Sequence, residues 1–409
     1  VRQPIETSYR ALFRVPGYSR LATGTLLARL GGQMWEIVLV LFVLQRYRSA
    51  SLAGLAVLFS VFPGLVFSPI AGALLDRQGR VRLMILDYVA TAVLIGTLVL
   101  LSVSNRLPPL LLLLLVTVLS ISNILSLTGA RSLFPLMLPR HLWDRSNGLD
   151  TSSYSLTAIV GPAIAGLAVS RFGPEAALVS TAVIAALAAV SLAGVSEPVA
   201  APPIETSLIS DAWAALLYVV RHPSLRGLAI TLFISNLGFG VLPVGIPVLV
   251  LRQLHGTAAA VGQVFAVFGL AGLIAGIMVG RINSEQRERL MIAACIAVQV
   301  PIVAVLAFAN SLGIVFVIAF IAGAASSVIN VGIFALRQRR TAPSWFGRAF
   351  AVSLSLNVAG QPIGSALSGP LLEHSIALPF LIAAAVNLVA AGAALALIPR
   401  RVSEDSPTA

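Results

Sequence analysis

The chain has 409 residues, 58% hydrophobic and only 10% charged, with 27 basic against 15 acidic side chains. Mean hydropathy is +0.97. No water-soluble domain hides that much apolar surface, so composition excludes a soluble globular protein and makes the bilayer the solvent.

A helix crossing ~30 Å of hydrocarbon needs ~20 residues at 1.5 Å each. Twelve segments qualify: 20–45, 51–75, 83–104, 108–130, 148–171, 174–195, 224–250, 257–280, 289–309, 312–336, 348–371 and 376–398. Backbone groups in lipid are satisfied only within helices or a closed barrel. Runs such as Leu110–Val116 lack the alternation of barrel strands, so the sequence predicts an all-α membrane protein. Every basic residue is arginine. With a cytoplasmic N-terminus, 21 arginines fall on cytoplasmic segments or helix ends. Arg46, Arg48, Arg106, Arg171 and Arg252 fall outside, and Arg29 lies within the first span. This is the asymmetry of the positive-inside rule, and it predicts a multi-pass protein of the inner (plasma) membrane with both termini cytoplasmic. The +12 charge therefore reads as an insertion signal and an attraction to the lipid surface, not as nucleic-acid binding. The apolar run after Arg2, Arg10, Arg14 and Arg20 is too long for a signal-peptide core and is read as the first span. Cys295 stands alone, which excludes an internal disulfide and a multi-cysteine metal site. Neither a cofactor nor a metal is expected.

The first span holds the two costliest residues, Arg29 and Glu36. A charge at mid-membrane costs ~2.5–3.5 kcal/mol on insertion scales and normally faces a cavity or a partner. Seven residues apart, the two share a helix face ~10 Å from end to end. Gln33 lies between them, and Trp35 is adjacent to Glu36. Glu36 suits binding and release of a proton. Arg29 suits setting that affinity or attracting an anion. The structural reading of the same residues is an ion pair with another helix.

Between the second and third spans runs Gly72-Ala-Leu-Leu-Asp76-Arg77-Gln-Gly79-Arg80-Val-Arg82. Gly79 permits a tight turn, and Arg80 and Arg82 suit an anionic membrane surface. The pattern Gly-x-Leu-x-Asp-Arg-x-Gly-Arg-x-Arg resembles the signature loop of major facilitator superfamily transporters. The resemblance implies twelve transmembrane helices in two pseudo-symmetric six-helix bundles. It also implies a conformational switch in which Asp76 meets the N-terminus of the eleventh span, with Arg348 and Arg131 as partners.

The fifth span carries Gly161-Pro162-Ala-Ile-Ala-Gly166, and the eleventh carries Gly360-Gln361-Pro362-Ile-Gly364 at the matching place. Proline removes a backbone donor and glycine lets helices approach, so Gly161, Pro162, Gly166, Gln361, Pro362 and Gly364 are candidates for a paired hinge. The first element resembles part of a Gly-Pro-x-x-Gly element of exporters in the family. Arg29-Leu-Gly31, Pro69-Ile-Ala-Gly72, Asp87, Pro135-x-x-x-Pro139 with Asn147, and Pro343-x-x-x-Gly347-Arg348 extend the likeness. Together they resemble the drug:proton antiporter branch of macrolide and enterobactin exporters. Two departures stand out: Gly32 replaces the acidic residue often found after Arg-x-Gly, and no mid-membrane arginine occupies the fourth span.

The chain divides into a bundle at 1–195, a polar, proline-rich cytoplasmic linker at 196–222 and a second bundle at 223–409. Within the linker, Leu208–Val220 is apolar enough to lie on the membrane surface. The halves read as diverged repeats: Phe59-x-Val61-Phe62 recurs as Phe265-x-Val267-Phe268, and Arg82-Leu-Met-Ile85 as Arg289-Leu-Met-Ile292. Gly280 stands where the second copy would carry an aspartate. Asp87 and Asp150, read as one turn inside their helices, suit compensation of the helix dipole. Asn123, Asn236, Gln263, Asn330 and Asn357, with Gln33 and Trp35, are candidates to line a central cavity. Gln299, Gln361 and Asn387 complete the intramembrane amides.

Composition and charge alone predict a polytopic membrane protein; the resemblance implies a proton-coupled exporter of amphipathic small molecules, of drug or siderophore type, expected as a monomer whose partners are its substrate, protons and the bilayer. Metabolite uptake or facilitated diffusion is the alternative transport reading, and a non-transporting receptor comes from another class. The arginine asymmetry makes a topological prediction. In a Cys295→Ser background, a cysteine at Asn105 is labelled by an impermeant maleimide on intact cells, and one at Ser207 is labelled only after lysis. Labelling of Ser207 from outside overturns the orientation.

Overall fold

The computed structural model describes residues 8–197, 208–279, 287–341 and 345–400, without the side chains of Pro69, Ala73, Asp76 and residues 208–212 and 346–351. Regular structure among the described residues is helical throughout. The first half holds α1 (Tyr9–Arg14), α2 (Tyr18–Tyr47), α3 (Ala50–Gln78), α4 (Arg80–Val103), α5 (Pro109–Met137), α6 (Trp143–Phe172) and α7 (Pro174–Leu192). After the linker helix α8 (Leu208–Arg221) come α9 (Pro223–Phe239), α10 (Leu242–Val248), α11 (Ala258–Val279), α12 (Glu288–Leu306), α13 (Leu312–Arg340), α14 (Phe346–His374) and α15 (Ala377–Leu397). A π-helical turn, Leu249–Gln253, extends α10, and α9 to Gln253 forms one crossing. Eleven helices among the described residues are long and apolar enough to span. The remaining predicted crossing is α14, which is diluted by Ser353, Ser355, Asn357, Gln361, Ser365 and Ser368.

Local chemistry sets the breaks. Gly79 and Gly173 turn the chain at φ +90° and +86°, a region that only glycine enters without strain. Pro109, Pro174 and Pro223 open α5, α7 and α9, where a missing N–H costs nothing. Helices start earlier than the apolar pattern indicates: α4 at Arg80 and α6 at Trp143. Their first turns carry Arg80, Arg82, Asp144 and Arg145, charges that the apolar pattern leaves outside the spans. Pro162 and Pro362 sit inside continuous helices.

Two compact units divide the chain. One comprises Val1–Leu39 and Phe59–Glu205; the other comprises Val40–Leu58 and Thr206–Ala409. The far ends of α2 and α3 thus belong with the second unit, a division that composition did not reveal. In the first unit, Leu21, Met84, Tyr88, Leu133, Ala188 and Leu192 form a core among α2, α4, α5 and α7. In the second, Leu232, Ile292, Ile296, Ile333, Ala390 and Ala394 do the same among α9, α12, α13 and α15. Helix α4 packs on α5 and α7, as α12 packs on α13 and α15. These are matching pairs of a six-helix repeat.

Glycine carries the tightest crossings. A Cβ on Gly64 of α3 would sit 2.3 Å from the Ser120 carbonyl of α5, and the matching pair, α11 and α13, crosses at Gly323, 2.1 Å from the Phe268 carbonyl. On the predicted hinges, a Cβ on Gly161 of α6 would meet Gln33 of α2 at 2.5 Å. Cβ atoms on Gly360 and Gly364 of α14 would meet the Phe233 and Leu237 carbonyls of α9 at 2.4 and 2.0 Å. The paired elements therefore do close-packing work in equivalent helix pairs, while Pro162, Gly166 and Pro362 are buried beside them.

Of the linker, residues 198–207 lie outside the described residues. Helix α8 packs on α9 and α14. Ala215 and Val219 are buried, Tyr218 stacks on Trp345 with centroids 4.9 Å apart, and Trp213 points outward, 66% exposed. One apolar side is thus seated on protein and the other is left free.

The glycine geometry separates two substitutions. Gly364→Ala drives a methyl into the Leu237 carbonyl and is expected to cost ~1–3 kcal/mol. Nothing lies within 4 Å of a Cβ on Gly72, so Gly72→Ala is expected to be neutral or to gain up to ~1 kcal/mol of helix propensity. Thermal unfolding of the purified protein in detergent reads both. Equal melting temperatures contradict the packing assignment.

Candidate functional site

Polar groups gather where α2, α5 and α6 of the first unit meet. Arg29 reaches α6 with both guanidinium nitrogens. Nη2 donates to Asp150 Oδ1 at 2.6 Å, and Nη1 donates to the Asp150 carbonyl at 2.8 Å and to Ser153 Oγ at 2.6 Å. The pair is largely shielded, with side-chain exposures of 19% and 33%. Of the readings open to Arg29, the structure shows the interhelical ion pair. Asp150 and Ser153 are three residues apart, which puts both on the side of α6 facing Arg29.

Glu36 lies midway along α2 with an exposed side chain. No ion pair or hydrogen bond of Glu36 is found among the described residues. Tyr154 of α6 is within electrostatic reach of Glu36, Arg29 and Arg131. Tyr154 follows Asp150 by one turn, a signal present in the sequence but not used. Gln33, one turn before Glu36, is half-buried against Gly161, and Trp35 is half-buried.

Asp87 and Asp150 each stand seven residues inside their helices, α4 and α6. Both lie beyond the first turn, where the dipole acts. The dipole reading is therefore corrected: Asp150 holds Arg29, and Asp87, 1% exposed, accepts a hydrogen bond from Ser122 of α5. The cause is the earlier start of both helices.

The loop at 77–82 is built onto its own bundle. Arg80 Nη1 pairs with Glu197 Oε1 at 3.2 Å, and its Nε donates to Ser132 Oγ at 3.1 Å. Glu197 Oε2 accepts from the Val81 amide at 3.1 Å, capping α4. Arg80 therefore turns to Glu197 and Ser132 rather than to lipid headgroups, whereas Arg77, Arg82 and Arg131 are exposed. The side chains of Asp76 and Arg348 lie outside the described residues.

The cavity candidates separate into two groups. Asn236 donates to the Asn357 side chain and to its carbonyl, tying α9 to α14. Asn123, Gln263 and Asn330 have exposed side chains, and Gln361 is half-buried. Outside that list, Gln299 bonds Ser326 at 3.2 Å and Asn387 bonds Ser235 at 3.2 Å in buried crossings.

Two polar clusters, in a frame of paired six-helix repeats, now meet what known proteins show. The family model of the Major Facilitator Superfamily matches residues 21–298 and again 228–409. An uncharacterized MFS-type transporter, y4rN, of Sinorhizobium fredii is 36% identical over 401 residues, 96% of this chain and 98% of that protein. Macrolide efflux protein A of Streptococcus pyogenes is 23% identical over 81% of this chain and 84% of its own length. The multidrug efflux pump Tap of Mycobacterium tuberculosis is 26% identical over 92% and 91%. Among solved structures, the nucleoside transporter NupG superposes with TM-score 0.72 at 13% identity, covering 93% of this chain and 98% of that one. A bacterial homologue of the iron transporter ferroportin gives 0.70 at 18%, covering 92% and 97%. The chain belongs to the Major Facilitator Superfamily and is a multi-pass membrane transporter.

The Arg29–Asp150 geometry sets a measurable coupling. A double-mutant cycle of Arg29→Gln and Asp150→Asn, followed by thermal unfolding in detergent, is expected to return a coupling of about 1–3 kcal/mol. Additive effects of the two substitutions refute the pair.

Proposed function

We propose that this member of the superfamily exports an amphipathic, partly apolar small molecule of drug or siderophore type in exchange for protons. It works by alternating access, as a monomer in the inner membrane with both termini cytoplasmic. Two relatives bear the names of efflux proteins, which supports the direction of transport. The observation that carries the proton assignment is Glu36. A carboxylate midway through a membrane helix, close to Tyr154 but outside the Arg29–Asp150 pair, is a group that can take up and give back a proton without breaking a structural contact. Arg29, held by Asp150 on the same side of α2, sets the local field in which Glu36 works.

Proteoliposome flux against a compound panel, with and without an imposed pH gradient, tests the reading. Expected is substrate movement against its own gradient, driven by the proton gradient, in the parent protein. Glu36→Gln is expected to abolish that response while leaving expression, insertion and passive exchange intact. A Glu36→Gln protein that still concentrates substrate in response to the pH gradient removes Glu36 from the coupling. Flux that ignores the gradient in the parent points instead to a facilitated-diffusion carrier.

A further inference from the structure

Residues 40–58 belong by sequence to the first half, yet they are part of the second compact unit. A specific set of contacts holds them there. Glu373 lies in the last turn of α14, past the predicted span 348–371. Its Oε1 accepts hydrogen bonds from the Ala50 amide, from the Ser51 amide at 3.1 Å and from the Ser49 hydroxyl at 3.1 Å. Its Oε2 lies 3.5 Å from Nη1 of Arg252, whose Nη2 donates to the Arg48 carbonyl at 2.7 Å. A carboxylate thus occupies the positive end of α3, where the first N–H groups lack helical partners.

Beside this cap the two helix backbones touch. A Cβ on Gly369 of α14 would lie 2.7 Å from the Ala50 carbonyl, and one on Gly54 of α3 would lie 2.3 Å from the Ser365 carbonyl. Ala50, Ala53 and Ala56 are fully buried as a result. The contact therefore has an electrostatic part, which a proton can switch, and a shape part, which a methyl group can spoil.

We propose that Glu373, with Arg252, is the latch that holds the start of α3 on the end of α14, and that its release opens this face of the transporter. The proposal rests on the alternating-access reading.

The outer face of a proton-driven exporter is where protons enter, and the latch responds to them in the required direction. The charged and titratable groups around Glu373 are Arg252, Arg48, whose side chain lines an adjoining cavity of about 580 Å³, and His374, whose Nδ1 lies 3.0 Å from the Pro370 carbonyl. Burial alone would push the Glu373 carboxyl up. The hydrogen bonds from Ser51, Ser49 and Ala50 and the Arg252 guanidinium outweigh it and hold the group below the ordinary carboxylate value. A depressed value means that the latch is fully engaged above the ordinary carboxylate range and is lost as external pH falls through the latched value.

Spin labels on cysteines at Leu55 and Leu367, in a Cys295→Ser background, report the separation of the two helices in lipid nanodiscs. The expected result for the parent is a short distance at neutral pH, with a longer-distance population growing as pH falls. Glu373→Gln is expected to raise the open-to-closed ratio about tenfold at neutral pH (~1.4 kcal/mol) and to remove the pH response. Gly54→Ala, which leaves the charges untouched, is expected to raise the same ratio while keeping the pH response. A Glu373→Gln protein whose distances match the parent at every pH overturns the latch. If that variant fails to fold, a Gly54→Ala protein with parental distances overturns it equally. The readout needs no substrate, so a failed flux assay and a failed latch are told apart.

Discussion

Hydrocarbon neither donates nor accepts a hydrogen bond, and the structure follows from that constraint. Backbone groups close on themselves as helices. Four polar side chains within the spans find partners on neighbouring helices: Arg29 on Asp150, Asp87 on Ser122, Gln299 on Ser326, Asn387 on Ser235. Each such pair fixes two helices at one register. Among the described residues, Glu36 is a carboxylate midway along a span without such a partner.

The second consequence concerns packing. Lipid tails are as apolar as leucine, so burying leucine between helices gains little, and association depends on close contact and on interhelical hydrogen bonds. Glycine supplies the contact. Inside a helix it costs roughly 1 kcal/mol relative to alanine. At Gly64, Gly323, Gly360 and Gly364 that cost is offset, because neighbouring backbones occupy the space a methyl would need, and at Gly161 the Cβ of Gln33 does so. Glycine sits on α3 at one of the equivalent crossings and on α13 at the other, so the same close approach is reached from either helix of the pair.

Much of this was legible beforehand. Length and hydropathy place the eleven helices that are long and apolar enough to span among the described residues, because a membrane span is a long, low-information signal. Gly79 announces its own turn, and the Gly161 and Gly364 elements announce close approach. Partner choice was not legible. Arg29 and Asp150 are 121 residues apart in the chain, and no spacing rule joins an arginine on one helix to an aspartate on another. Asp87 and Asp150 were misplaced because the apolar pattern marks where hydrocarbon begins, while the helix begins a turn sooner. Glu197 and Glu373 were overlooked because a carboxylate at the edge of a span looks like ordinary surface charge until the N–H groups it caps are seen.

Those two carboxylates follow one rule with different consequences. Glu197 caps α4 from the end of the same unit and also binds Arg80, so it ties the signature loop to the start of the linker. Glu373 caps α3 from the other half of the sequence. The first closes a contact inside one bundle and has no reason to break during transport. The second joins the start of α3 to the end of α14 within the second compact unit, and its release is what the latch proposal adds. Interior pairs such as Arg29–Asp150 fix neighbouring helices of one unit at one register. The helix ends, where charges meet water, are where the proposed Glu373 latch acts. A paired interior and a capped helix end thus use the same few charges for different ends: the first fixes register, and the second is the contact that the proposed latch releases.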